Sequence, residues 1–590
     1  MSRSWLRVAI SCLLPVSAAL AATASSVVQA TETGDRTFLQ LADRYFDQFY
    51  FPTNPTTATT DGIHLYDGKL EDYSRQGIDA EVKALGDWEA RVAATDPDSL
   101  SEYVRGDRDL VLNNIRSTLL TLQTIRPWEK NPDMYSSGVT ASAFTLMERT
   151  FAPPETRLRD LIAREKQMPD ALQAARTNLK NPPKIYTQIA LEQLPGLIAF
   201  FQRDVPAAFA GVNDAALKKE FAESNGAVIK ALGDYQTWLK NEVLPASHGD
   251  FRIGADAFSK KLKYDEMVDL PLDKLVAIDM ANMKANQAEF AKVAKELDPK
   301  KTPQQVLAEL AADHPQPDKL LDTFHATFDT LIGFIDSHHI ITIPSKVQPT
   351  LEETPPFMRA ITFASMDTPG PYEDKATTAY FNVTLPEKDW PKERVDEFMA
   401  QFSYPVITSV ATHEAYPGHY IQFLWMHRVH DRVRKLLGSA SNAEGWAHYC
   451  EQMMLDEGLA QYEFPKDRRQ QLLLRLGQLQ DALLRNARFI VGIKLHTGQM
   501  SMDQAVDFFV NEGYQSRTVG EVETKRGTSD PTYLYYTLGK LEILKLRADM
   551  QAKEGKQFNL ESFHNDFMQH GFAPIEIVRR EMLHDDSPVL

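Results

Sequence analysis

Residues 412–420, "THEAYPGHY", decide how this chain is read. His413 and Glu414 open a pattern in which a second histidine, four residues after the first, completes a metal-binding helix face. Here the second histidine is His419, six residues on, and Pro417-Gly418 lies between the two. Each helical residue turns about 100°, so six advance about 600° and leave the second side chain roughly 240° around the helix. An unbroken helix cannot make one site from both. Pro417 has no backbone N–H and clashes with the preceding turn, while Gly418 tolerates unusual dihedrals. The irregular spacing and the irregular residues coincide, which predicts a break that re-aims His419.

A catalytic zinc keeps three protein ligands and one open position. The third comes from downstream, in "SNAEGWAHYCEQMMLDEG" (441–458), where Ser441 or Asn442 is the expected cap of a helix ending at Gly458. On that helix Glu444, His448 and Glu451 share a face at steps of four and three. Glu444 lies 25 residues after His419, enough for the first helix to finish and a second to return past the metal. Five of the 15 histidines, His413, His419, His427, His430 and His448, fall between 413 and 448. His427, His430 and the pair His338-His339 lack a ligand-like partner and read as structural or surface groups. Trp446 and Tyr449 read as core.

Working outward, helices are expected at about 404–435, 442–457, 466–496, 502–511 and 531–552. Before the motif, "HHIITIPSKV", "FMRAITFASM" and "TTAYFNVTL" are rich in β-branched and aromatic residues and read as short strands. Such a sheet beside the His-Glu helix suits a peptidase, because an extended peptide can add to a strand edge. From Thr31 to about 345 the pattern is helical, as in 81–92, 108–125 and 272–297, with prolines punctuating the helices in "FAPPETRL" and "LKNPPKIY". The expected organisation is a scaffold over 31–345 continuous with a catalytic part over 346–590.

Residues 1–30 stand apart. Arg3 and Arg7 precede an apolar run, and "VVQA" ends in a small-x-small pattern, so they read as a secretory signal cleaved after Ala30. Cys12 lies within the run, and a lipid-anchored cysteine is the variant of this expectation. Cleavage takes the net charge from −17 to −19, a poor match to nucleic acid or anionic lipid. It also leaves Cys450 as the only cysteine, so any metal is held by His and carboxylates. No further run is long and apolar enough for a membrane segment, and an exported, periplasmic protein is expected.

"HEAYPGHYIQ" followed by "EGWAHYCE" resembles the bacterial family called domain of unknown function 885. The resemblance takes in "KLHTG" (494–498) and a pattern at Tyr536, Gly539, Leu546 and Arg547. That family resembles the zincin metallopeptidases whose third ligand is a glutamate. What this implies is a mainly α, large helical zincin-like fold with a small β-sheet beside the active-site helix. His413, His419 and Glu444 would bind Zn2+, Glu414 would be the general base, and Glu451 or His448 would stand behind the ligands. The family often has Pro-Gly-Gln-Ala before the tyrosine, where this chain reads "SDPTYLYYTLG", which bears on substrate contacts and not on the ligands.

The expected chemistry is hydrolysis of a peptide or small amide. Tyr536 and His496 are candidate donors to the oxyanion, each set against a structural role: a core tyrosine, and a cation at a helix C-terminus. Arg488, Arg526 and Arg547 are candidates to grip a substrate carboxylate. The competing expectation is a catalytically inactive zincin-like protein that binds peptides or envelope components, against which the presence of Glu414 argues.

Overall fold

The computed structural model describes residues 31–355, 359, 362–388 and 390–590. The signal segment and Cys12 lie outside them. The fold is mainly helical, with one small sheet. In chain order the helices used below begin with α1 (Arg75–Ala93), α2 (Glu102–Leu120), α3 (Ala215–Trp238), α4 (Leu272–Leu297) and α5 (Leu320–His338). Side chains start several of them: Ser74 accepts from Gly77 N, Ser101 from Val104 N and Asp214 from Leu217 N.

Two recurring settings hold many of the helix prolines, with Pro195 inside the helix Lys184–Ala199 outside both. Pro154 and Pro183 sit at helix starts, as punctuation requires. Pro52, Pro127, Pro206 and Pro245 instead each follow, by two residues, a π-helical turn: 46–50, 121–125, 200–204 and 239–243. A proline in a continuing helix would clash with the carbonyl four residues back. At Pro52, Pro206 and Pro245 that carbonyl belongs to the widened turn, which carries it aside, while before Pro127 the left-handed Arg126 (φ 56°) has already ended the helix.

The sheet comprises β1 (Thr350–Glu353), β2 (Ala364–Asp367) and β3 (Tyr380–Val383), in the order β1-β3-β2. β1 runs parallel to β3 with Thr350 opposite Tyr380, and β2 is antiparallel with Ala364 opposite Val383. Two strands fall in expected stretches, but 338–347 holds none. There the backbone bonds to side chains instead: Ile340 O accepts from His564 Nδ1, Thr342 N donates to Asn565 Oδ1, and Thr342 O accepts from Trp425 Nε1. With those groups taken, pairing starts later, at Thr350.

β3 buries Phe381 and Val383 against α5, with the Phe381 ring 5.3 Å from Phe324 and 6.2 Å from Phe328. β2 lies against α6 (Tyr404–Glu414). The expected helix over 404–435 is divided into α6, α7 (His419–Met426) and a short turn at Arg432–Leu436. α8 (Ala440–Asp456) is capped by Ser439, two residues before the expected position, through Asn442 N at 3.2 Å. α8 ends as expected at Gly458, which follows the C-cap Glu457, is left-handed (φ 107°), donates its N–H back to Leu455 O and also precedes the next helix. α9 (Arg468–His496), α10 (Arg517–Ser529) and α11 (Tyr535–Glu554) complete the frame around the motif. None of the described helices is long and apolar enough to cross a membrane.

One hydrophobic cluster draws on residues from Phe38 to Ile115 and again from Leu320 to Val589. An ion pair ties the same distant parts. Arg434 is fully buried and donates to Asp107 of α2 and to Glu581, 2.6 Å away near the C-terminus. Removing one member of such a buried set leaves uncompensated charge, so Arg434→Met is expected to lose about 3–5 kcal/mol. Urea unfolding of the variant against the parent chain measures this, and a loss under about 1 kcal/mol would class the pair with surface bridges.

Candidate metal centre

α6 stops at Glu414 because the next four residues leave the helical path. Ala415 N and Tyr416 N both donate to Ala411 O (2.9 and 3.1 Å), and Gly418 N donates to Thr412 O (3.0 Å). The Tyr416–Pro417 peptide is cis. Gly418 passes so close to α6 that a Cβ on it would lie 1.7 Å from the His413 carbonyl oxygen, so no other residue fits. Gly418 O accepts from Gln422 N, which starts α7, and Trp446 Nε1 donates to Pro417 O (2.9 Å), holding the break from the opposite side. His413 thus ends one helix and His419 begins another, their rings edge-on with centroids 4.9 Å apart. The break removes the 240° mismatch.

α8 supplies the third group. Glu444 Oε2 lies 3.3 Å from His413 Nε2 and 3.3 Å from His419 Nε2, and one donor atom from each residue falls within 4.8 Å of the others. Two turns along α8, Glu451 Oε1 lies 2.7 Å from His413 Nδ1 and 3.0 Å from Arg485 of α9, and Oε2 lies 3.0 Å from His448 Nδ1. His413 Nδ1–H therefore donates to the Glu451 carboxylate, which turns Nε2 towards the shared point as the atom that would hold a cation.

The charges are buried and settle one another. Burial works against the Glu451 carboxylate, but Arg485 and the two histidines hold it well below the usual range. Glu444 is held down likewise, by His419 and His413 against burial. Burial and Lys540 drive His448 far below its usual value, so it is a neutral donor to Glu451. No motif marks Arg485. It reaches the site because α9 packs against α6.

Two glycines bring α11 in. A Cβ on Gly445 would stand 2.5 Å from Gly539 Cα, and one on Gly539 would stand 1.8 Å from Ser441 O, so α8 and α11 cross backbone to backbone. One turn before Gly539, Tyr536 lies with its ring 6.3 Å from the His413 ring. Burial and the nearby Glu444 raise its pKa, so the phenol keeps its proton. Glu414 is half-buried at the end of α6 and has no hydrogen-bond or ion-pair partner among the described residues.

His496 does not join them. It lies eleven residues beyond Arg485 on α9, about 16 Å along the axis, where its Nε2 lies 2.7 Å from Gly527 O and its ring sits between Phe251 and Phe258. The expectation that it faces the site is corrected by this placement. Trp446 and Tyr449 are core, Trp446 stacking on Phe567.

The family described as "Bacterial protein of unknown function (DUF885)" matches residues 55–582. The chain belongs to this family. Among solved structures it is similar to "a putative lipoprotein of unknown function" from Shewanella oneidensis, at 26% identity and a TM-score of 0.77, covering 92% of this chain and 99% of that one. It also shares its fold with "the putative lipoprotein from Colwellia psychrerythraea", at 17% identity and a TM-score of 0.76, covering 94% and 99%. No curated protein matches the chain. The DUF885 match includes both helix-break histidines, Glu444 and the α8–α11 crossing.

Two outcomes are expected of this geometry. Glu451→Gln removes the carboxylate that orients His413 and should weaken zinc binding roughly 10–100-fold, measured by competition with a chelator. The same titration at several pH values tests the protonation of His413. Burial lowers its pKa, but the bonds to Glu444 and Glu451 outweigh this and raise it to about 9. A cation must displace that proton, so affinity should rise with pH towards about 9, with about one proton released per ion from this group.

Proposed function

We propose that this chain is an exported zinc-dependent hydrolase of peptide or small amide bonds, a zincin with a glutamate as third ligand. The observation that carries the proposal is the convergence of His413 Nε2 and His419 Nε2 on Glu444 Oε2. Two imidazoles and one carboxylate are a donor set of catalytic zinc sites. Glu444 Oε2 is buried with no neighbour but those two nitrogens to satisfy it, which fits a cation between the three. Glu451 behind His413 is the orienting carboxylate such sites use.

When bound, zinc would polarise the scissile carbonyl and lower the pKa of water at the open position. This chain's residues then have separable roles. Glu414, unpartnered and adjacent to His413, takes a proton from the attacking water and returns it to the leaving amine. Tyr536 stays protonated and donates to the developing oxyanion. The sheet beside α6 offers a strand edge to an extended substrate. Export is supported by the residue pattern of 1–30 and by the lipoprotein description of the Shewanella neighbour.

The test begins with zinc content of residues 31–590. About one zinc per chain is expected, lost in both His419→Ala and Glu444→Ala. Glu414→Gln should keep the metal and lose about 10²–10⁴-fold in hydrolysis of a peptide pool. No metal after incubation with zinc would end the proposal and favour an inactive peptide-binding protein.

A further inference from the structure

Three arginines were candidates for gripping a substrate carboxylate, and their surroundings separate them. Arg488 is buried and gives Nε and Nη2 to the two oxygens of Glu523, each at 2.7 Å. Arg547 lies eleven residues beyond Tyr536 on α11, about 16 Å away along the axis, and is engaged by Glu457 and the Tyr449 hydroxyl. Arg526, in the last turn of α10, differs from both. Its Nη2 donates to the hydroxyls of Tyr535 (3.3 Å) and Tyr536 (3.4 Å) and lies 3.2 Å from Asp530. Its Nε and Nη1 have no partner among the described residues, so three of its five N–H donors are unused. The side chain is 35% exposed, where that of Arg488 is 10% exposed.

We propose that Arg526 is the receptor for the C-terminal carboxylate of the substrate, making this site an exopeptidase that trims short C-terminal fragments. The inference rests on the peptidase proposal above. Fixed donors suit a carboxylate better than a mobile ammonium does, and Tyr535 and Tyr536 hold the guanidinium in place. In a chain of net charge −17, a partly exposed cation beside the cluster is what admits an anionic terminus.

Distance sets the fragment length. The Tyr536 ring is 6.3 Å from the His413 ring and 5.9 Å from the Arg526 guanidinium carbon. Arg526 is therefore no more than about 12 Å from the metal ligand. An extended chain spans about 3.3–3.6 Å per residue, so the held carboxylate lies about one to three residues beyond the scissile bond. The water that adds to the carbonyl carbon supplies the hydroxyl of the new C-terminus and a proton to the released amine, and the terminal carboxylate is unchanged.

The experiment uses the zinc-loaded 31–590 protein with N-acetylated pentapeptide pools, one with free C-termini and one amidated, read by mass spectrometry. The free-acid pool should release one- to three-residue C-terminal fragments, and the amidated pool should be cleaved at least about tenfold more slowly. Arg526→Gln should raise KM for the free-acid pool roughly ten- to hundredfold, should slow the amidated pool far less, through its bond to the Tyr536 hydroxyl alone, and should leave zinc content unaffected. Arg526→Lys, which keeps the charge and loses the planar fork of donors, should give an intermediate KM. Equal cleavage of the two pools, or an equal loss on both in the variants, would overturn the inference and leave the peptidase proposal standing. Cleavage of neither pool would end the peptidase proposal instead. Equilibrium binding then decides about Arg526: preference of Glu414→Gln for the free-acid pool, lost in Glu414→Gln/Arg526→Gln, supports the receptor, and equal or absent binding overturns it.

Discussion

Two imidazoles six residues apart can meet at one point only if the helix between them stops and restarts. In this protein that constraint falls on four buried residues, Ala415 to Gly418. The space they occupy is narrow enough that the His413 carbonyl excludes any side chain at 418. Everything else in the centre is arranged around it. α6 delivers His413 and Glu414 at its end, α7 presents His419 at its start, and Trp446 of α8 bonds the carbonyl of Pro417 inside the break. The helix that carries Glu444 therefore also clamps the irregularity that Glu444 depends on.

Bringing so many charged groups together below the surface is unfavourable unless each is answered. Glu451 is the hub of that answer. Its two oxygens bind His413, His448 and Arg485, and so connect α6, α8 and α9. His448 remains neutral beside it because Lys540 is close and water is excluded, so the positive charge that answers Glu451 comes from Arg485 and His413 and not from His448. The Gly445–Gly539 crossing sets how near α11 comes and hence where Tyr536 stands relative to the ligands. Packing at backbone contact leaves little room for adjustment, which suits a site whose atoms must hold their positions.

Among the described residues, the helices before residue 345 contribute no side chain to this cluster. They take part through the core, which continues from Phe38 to Ile115 into the helices around the motif, and through Arg434, which joins α2 to the C-terminal helix. The π turns before Pro52, Pro206 and Pro245 let three of that scaffold's helices accept a proline in their last residues, whereas the left-handed Arg126 ends the helix before Pro127.

Much of this was legible locally. Periodicity placed α4 at its observed bounds, Pro-Gly marked where α6 must fail, and steps of four and three put Glu444, His448 and Glu451 on one face. These are properties of neighbours along the chain, governed by dihedral limits and helical turn. Other features needed the folded molecule. The stretch 338–347 looks like a strand, but its backbone groups are claimed by side chains more than 200 residues away. His496 sits in "KLHTG", near the end of α9, yet faces the Gly527 carbonyl and two phenylalanines. Arg485 enters the centre and Arg526 keeps free donors only because of how α9, α10 and α11 pack. The sequence by itself determined which residues could turn, break or cap. The tertiary structure decided which of them meet, because distances between helices depend on packing across the whole core, of which local spacing carries no record.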